Sequence, residues 1–236
     1  MKINLLLSVV LFAAVPLFAA EASPQDDVTS AAAALGSQKN YSWHTTVDAG
    51  GNAQYRPGPT DGKTQKDGYT VVNLSFGDNS SQLIMQGTNA AIKTSDNGWQ
   101  SAAEALADSG GGPNPAMFLA RMAQNFKTPA AQAAALAGQT TGLTATTNGI
   151  TGTLTEDGAK GLLMFRRGGN ATATNAKGSV TFWLADGKLV KFQTHVSGTV
   201  SFNGNDRDVD RTTTTEIKDV GATTVEVPDD AKKKLE

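Results

Sequence analysis

The chain has no cysteine. That excludes disulfides, a thiolate nucleophile, iron–sulfur ligation and a lipid anchor carried on sulfur. Histidine is nearly absent too: His44 and His195 are the only two, which rules out a histidine-rich zinc site. Neither sign of charge dominates. Twenty basic residues stand against 22 acidic ones, for a net charge of −2. Such a balance does not fit a surface that seeks nucleic acid or an acidic disordered tail. The familiar catalytic signatures are missing as well: no G-x-S-x-G, S-x-x-K, G-x-G-x-x-G, G-x-x-x-x-G-K-S/T or H-E-x-x-H occurs. Only one long apolar run exists, from Ile3 to Phe18, broken by Asn4, Ser8 and Pro16.

That run decides the compartment. Lys2 supplies the positive start, and Ala20-Glu21-Ala22 is a small-x-small cleavage site ahead of Ser23. Residues 1–22 therefore read as a signal peptide rather than a span, and residues 23–236 as one exported domain, periplasmic or secreted. No stable membrane insertion of the mature chain is expected. Four N-x-S/T sequons, at Asn40, Asn73, Asn79 and Asn170, matter only in a eukaryotic secretory route. A cysteine-free exported chain fits a bacterial periplasm better.

What is abundant is threonine, 28 residues, and glycine, 25. Threonine favours strands, and glycine favours turns and bulges. Asp26, Asp27 and Thr29 open a helix within residues 23–39, which Gly36 stops. Tyr41, Trp43, Thr45 and Val47 share one face of a strand. Residues 50–62, rich in Gly and Pro, read as a loop. Strands follow over Tyr69–Phe76, Ser81–Gln86 and Ala90–Ser95.

The middle of the chain changes period. Ser101 and Glu104 form a capping box, and Gly110–Gly112 form a flexible break. Asn114-Pro115 starts a helix whose Phe118, Leu119, Met122 and Phe126 make one stripe. Thr128-Pro129 starts another, ended by Gly138. Thr155 caps a third, over Glu156–Met164.

Asp186-Gly187 and Asn203-Gly204 are strong hairpin signals. Two-residue turns there pair Leu184 with Leu189, Trp183 with Val190 and Thr181 with Phe192. The second turn pairs Val190 with Ile217, Lys191 with Glu216, Val196 with Arg211 and Val200 with Arg207. This puts Val190, Phe192, Val196, Val200 and Phe202 on one face of a three-stranded meander, 177–186, 188–202 and 205–219. Pro228–Glu236, acidic early and basic late, suits a last helix. The element order predicts an α+β fold: a curved antiparallel sheet with helices covering its concave face.

Several side chains are candidates for function. Arg207 and Arg211 fall on the apolar face of the meander. There they either hold an anionic ligand group at the rim or extend their heads to water. Trp43, Trp183 and Phe192 are candidates to line a concavity, as core residues or as ligand contacts. Met117, Phe118 and Met122 give a soft helix face suited to acyl chains or to core filling. Asp206, Asp208 and Asp210 alternate on one strand, as a weak cation patch or a solvated edge that discourages aggregation.

Asn40–Val47 after a first helix, together with Gly178–Lys191 (GSVTFWLADGKLVK), resembles the LolA/LolB/LppX-like superfamily of periplasmic lipid and lipoprotein carriers. That resemblance implies a half-barrel whose helices roof an apolar cavity. It also implies reversible, non-catalytic binding of a hydrophobic or amphiphilic ligand (an acyl chain, lipid or lipoprotein), with no bond made or broken. Separately, no cofactor and no metal are expected, and the chain is expected to be a monomer. The competing expectation is a structural or interaction domain with a filled core.

Overall fold

The computed structural model describes residues 23–50, 58–77, 79–108, 114–164 and 171–236. The expected signal segment, the Gly110–Gly112 break and the sequon at Asn170 lie outside the described residues.

The chain begins with α1 (Pro24–Gly36). Its N-cap is Ser23, which exchanges hydrogen bonds with Asp26 in a capping box. Six strands follow: β1 (Asn40–Asp48), β2 (Thr60–Gln65), β3 (Thr70–Phe76), β4 (Asn79–Gln86), β5 (Asn89–Lys93) and β6 (Gln100–Ser101). Three helices come next: α2 (Ala102–Ala107), α3 (Pro115–Gln124) and α4 (Pro129–Gly138). Then come β7 (Thr140–Thr146), β8 (Gly149–Leu154), α5 (Glu156–Met164), β9 (Thr172–Ala185), β10 (Lys188–Phe202), β11 (Asn205–Lys218) and α6 (Asp229–Lys232).

All eleven strands form one antiparallel sheet in the order β6-β5-β4-β3-β2-β1-β11-β10-β9-β8-β7. It is open, with β6 and β7 as its two edges. The first and last strands pair at the centre, Trp43 opposite Ile217. The path of the chain follows from this order. It runs outward from β1 to the β6 edge. It then crosses the sheet through α2, α3 and α4 to the far edge at β7, and returns inward to β11. The α+β architecture expected from the sequence is the one observed.

One face of the sheet is apolar and covered. Trp43, Val72, Leu74, Leu83, Met85, Ile92, Val180, Phe182, Phe192, Val196 and Val200 are all buried there. They pack with Val28 and Leu35 of α1, Leu119 and Met122 of α3, Leu136 of α4 and Leu163 of α5. Small residues let the helices sit close. A Cβ on Gly198 of β10 would come within 2.8 Å of Leu163 Cδ1, so α5 lies directly on the strand there.

The last helix is different. Ala231 and Leu235 are buried against Val71, Ile84 and Ala91, which point to the opposite face. Thus α6, only four residues long, covers the outer side of β3–β5 rather than the concave side.

Three expectations need correction. Residues 60–62, expected as the end of a loop, open the strand Thr60–Gln65: TDGKTQ has no apolar alternation to announce it, yet it pairs on both sides, with β1 and with β3. The pair β7–β8 has no counterpart in the sequence reading, because its threonines and glycines carry no clear period. The third correction concerns register. Beyond Asp186-Gly187, Leu184 pairs with Leu189 as expected, but Val190 bulges out. Trp183 therefore pairs with Lys191, and Phe182, not Thr181, pairs with Phe192. Val190 is 38% exposed and Phe202 44%, so neither joins the buried face expected for them. The second hairpin keeps the expected register throughout, from Lys191–Glu216 to Val200–Arg207.

Candidate functional site

The covered face of the sheet is where the predicted residues converge. Trp43 is placed by β1, between β2 and β11. Its indole lies over Gly62 of β2, where a Cβ would overlap ring atoms Cζ2 and Cε2. Above it sits Phe126, just past the end of α3, with ring centroids 6.3 Å apart. Tyr41 flanks it at 5.9 Å. The Tyr41 hydroxyl accepts a hydrogen bond from the Ala130 N–H in the first turn of α4, at 3.4 Å. Burial pushes the Tyr41 hydroxyl up from its usual pKa, while bonds from Thr128 and Ala130 work the other way. Along β10, Phe192 is buried against Phe182 of β9, with centroids 6.4 Å apart.

From the roof, Met122 is buried and Phe118 half-buried against the same apolar layer. Met117 is half-buried at the first turn of α3 and is not part of that layer. Asn114 caps this helix by accepting the Met117 N–H, and Pro115 occupies its first position, as its sequence demands. Among the described residues, Leu119 and Met122 of α3 are buried in the apolar layer, so side-chain packing holds the helix on the sheet.

Arg211 points to the covered face, as the second hairpin requires. Its guanidinium donates to the Leu162 carbonyl in the last turn of α5, at 2.7 Å. A cation at that position bonds a carbonyl of the helix's last turn and complements the helix dipole. Arg207, four residues nearer the hairpin tip, is exposed opposite Val200.

Trp183 is not with the others. The bulge at Val190 turns it to the outer face, where the Lys191 ammonium lies 4.0 Å from its ring centroid. The ion pair expected between Lys191 and Glu216 is replaced by this contact, and Glu216 meets Lys218 at 3.5 Å. The outer face also holds both histidines, His44 bonded to Asp61 at 2.7 Å and His195 to Asp210 at 2.8 Å. Asp208 accepts from Thr199, and Asp206 from Ser201, so all three alternating aspartates have partners across the strand pair. Among the described residues, no group of three or more metal-ligating side chains forms.

Sequence reading missed Phe182, Tyr41 and Gly62 at this site. The strand pattern already gave Tyr41 the same face as Trp43. Phe182 needed the bulge, and Gly62 lies in the unrecognised strand.

The chain is similar to the lipoprotein LppX of Mycobacterium tuberculosis. That match has a TM-score of 0.48 at 11% identity, over 89% of this chain and 100% of the other. LprF from Mycobacterium bovis matches with a TM-score of 0.45 at 13% identity, over 88% and 97%. No family model matches the sequence, and no curated protein matches it. At TM-scores below 0.5 neither structure says what this chain binds, so the functional reading rests on the geometry above. No described helix is long and apolar enough to cross a membrane.

Proposed function

We propose that the chain is an exported, non-catalytic carrier. It holds the apolar part of a lipid or other amphiphile between the covered face of the sheet and helices α2–α4. The observation that supports this most is how those helices lie. They carry the chain from one open edge of the sheet to the other: α2 and α3 lie against β4–β6, and α4 packs on α1, which with α5 covers Phe182 and Phe192 on β9 and β10. Side chains such as Leu119 and Met122 pack α3 on the sheet, and a helix docked in that way separates from its floor without breaking a strand ladder. Each methylene of a bound chain would contribute about 0.8 kcal/mol, so affinity needs no dedicated polar contacts. In this reading Trp43, Phe118, Met122 and Phe192 touch the acyl chain. Met117 stands where α3 begins, and Arg207 meets an anionic head at the rim. Arg211 is a positioning residue that fixes the end of α5.

A second reading has its own observation. Trp43 is already stacked between Gly62 and Phe126, as a filled structural core would have it. Native mass spectrometry of protein purified gently from its own organism separates the two. A co-purifying lipid mass, with saturable uptake of a fluorescent fatty acid, supports the carrier. The bare mass with no uptake leaves the filled domain.

A further inference from the structure

On the outer face, away from the proposed lipid site, an open groove of about 630 Å³ runs between α6 and the β4–β5 strands. Its aromatic wall is Trp99, half-buried at the edge of the small outer core. The Lys93 ammonium sits 6.0 Å from the Trp99 ring centroid. The other lysines nearby are already matched: Lys233 with Asp230 at 2.9 Å and Lys234 with Glu104 at 2.7 Å. Among the described residues Lys93 has no carboxylate partner. Gln82, which faces Lys93 across the β4–β5 pair, spends its amide N–H on Asn73 Oδ1, at 2.7 Å. Its own amide oxygen remains as an acceptor, and so does the second oxygen of Asp230.

The groove thus combines one aromatic platform, one uncompensated positive charge and two acceptors for hydroxyl groups. A ligand complementary to all of these has a ring to lie on the indole, hydroxyls to donate, and a single negative charge. We infer that this groove binds an acidic sugar residue, a pyranose bearing one carboxylate or phosphate, stacked on Trp99 with its acid group at Lys93. Its dependence on α6 ties the site to the C-terminal residues, since Leu235 and Ala231 anchor that helix and the Leu235 carbonyl accepts from Asn89 at 2.6 Å. The inference stands independently of the lipid-carrier reading.

The test titrates the full mature chain with methyl β-D-glucuronide and with neutral methyl β-D-glucoside, followed by heteronuclear NMR of the three indole N–H signals. Binding in the millimolar range should move the Trp99 signal and leave those of Trp43 and Trp183 in place. The glucuronide should bind about fivefold more tightly than the glucoside, the ratio an exposed charge pair gives. Lys93→Gln should erase that preference, so that glucuronide and glucoside titrate alike. Trp99→Ala should abolish both. Because Trp99 also packs on the outer core, Trp99→Phe serves as the folded control and should keep weakened binding. No shift at Trp99 with either sugar, equal binding in wild type and Lys93→Gln, or shifts confined to Trp183 would overturn the inference. So would anionic phosphatidylglycerol vesicles perturbing Trp99 where the sugars do not.

Discussion

Trp43 and Gly62 face each other across β1 and β2, and the indole occupies the space where any side chain at position 62 would stand. The glycine is required by the tryptophan above it, because a methyl there would overlap the ring. Gly62→Ala should therefore lower stability by about 1–3 kcal/mol, the range seen for overpacked sites. It should also shift the emission of Trp43 toward the red as the ring is pushed off the strand. Urea unfolding followed by tryptophan fluorescence checks both. A variant as stable as wild type would mean that the indole has room to move aside, and the floor of the proposed site would be looser than described.

Arg211 closes the last turn of α5 through the Leu162 carbonyl. Arg211→Met keeps most of the aliphatic stem and removes the donor. It should cost about 1–2 kcal/mol, from a charged hydrogen bond and a helix-end interaction. Amide exchange should rise in Leu162–Met164 before it rises elsewhere. If Arg211 served an anionic ligand and not the helix, exchange would stay unchanged and ligand binding alone would fall.

Glu104 does two things at once. Its carboxylate accepts the Ser101 backbone N–H as part of the α2 cap, and it receives Lys234 from the C-terminal segment at 2.7 and 3.0 Å. The Lys234 ammonium, and then the Ser101 bond, hold this carboxyl below its ordinary value. A depressed folded-state pKa stabilises above the unfolded value, near 4.3, and that contribution is lost as pH falls through the folded one. Amide protection in α2, corrected for the intrinsic pH dependence of exchange, should thus be full at neutral pH and fall as the Glu104 carboxylate becomes protonated. In Lys234→Met the same loss of protection should begin at higher pH, because the folded value returns toward the ordinary one. Identical profiles for the two proteins would show that the contact between α6 and α2 does not persist in solution.

Much of this architecture is visible in the sequence because local chemistry agrees with the final fold. Ser101 with Glu104, Asn114-Pro115, Thr128-Pro129 and Thr155 each start a helix where their cap bonds require. Asn203-Gly204 fixes a register that twelve residue pairs obey. The failures share a cause. At Asp186-Gly187 the turn signal is as strong, but the bulge at Val190 shifts the pairs from Lys191–Trp183 to Ser197–Lys177 and moves Trp183 to the other face, until a second irregularity between Ser197 and Thr199 restores the expected register. Nothing in the alternation announces that residue. The strand 60–65 carries no apolar alternation of its own, so only the tertiary structure reveals it. The stacking of Trp43 on Gly62 was hidden for the same reason.

Phe126 links the roof to the floor through Trp43. Phe126→Ala should cost roughly 3 kcal/mol if the ring is packed as a core residue. In a carrier, part of that loss is recovered when an acyl chain fills the vacated space. Thermal unfolding with and without excess palmitate measures the recovery: a larger ligand-induced rise in Tm for the variant than for wild type is expected.

The central claim concerns where an acyl chain goes, and photo-crosslinking locates it. The mature chain is incubated with a fatty acid carrying a diazirine near its tail, irradiated, and digested for peptide mapping. Label should fall on residues 114–126 of the roof and on the buried side of β10, around Phe192 and Val196, saturating at one per chain and competed away by palmitate. Label scattered over the outer face near Trp183 and Lys191, or no saturable label at all, would contradict the account and leave a domain whose helices simply complete its core.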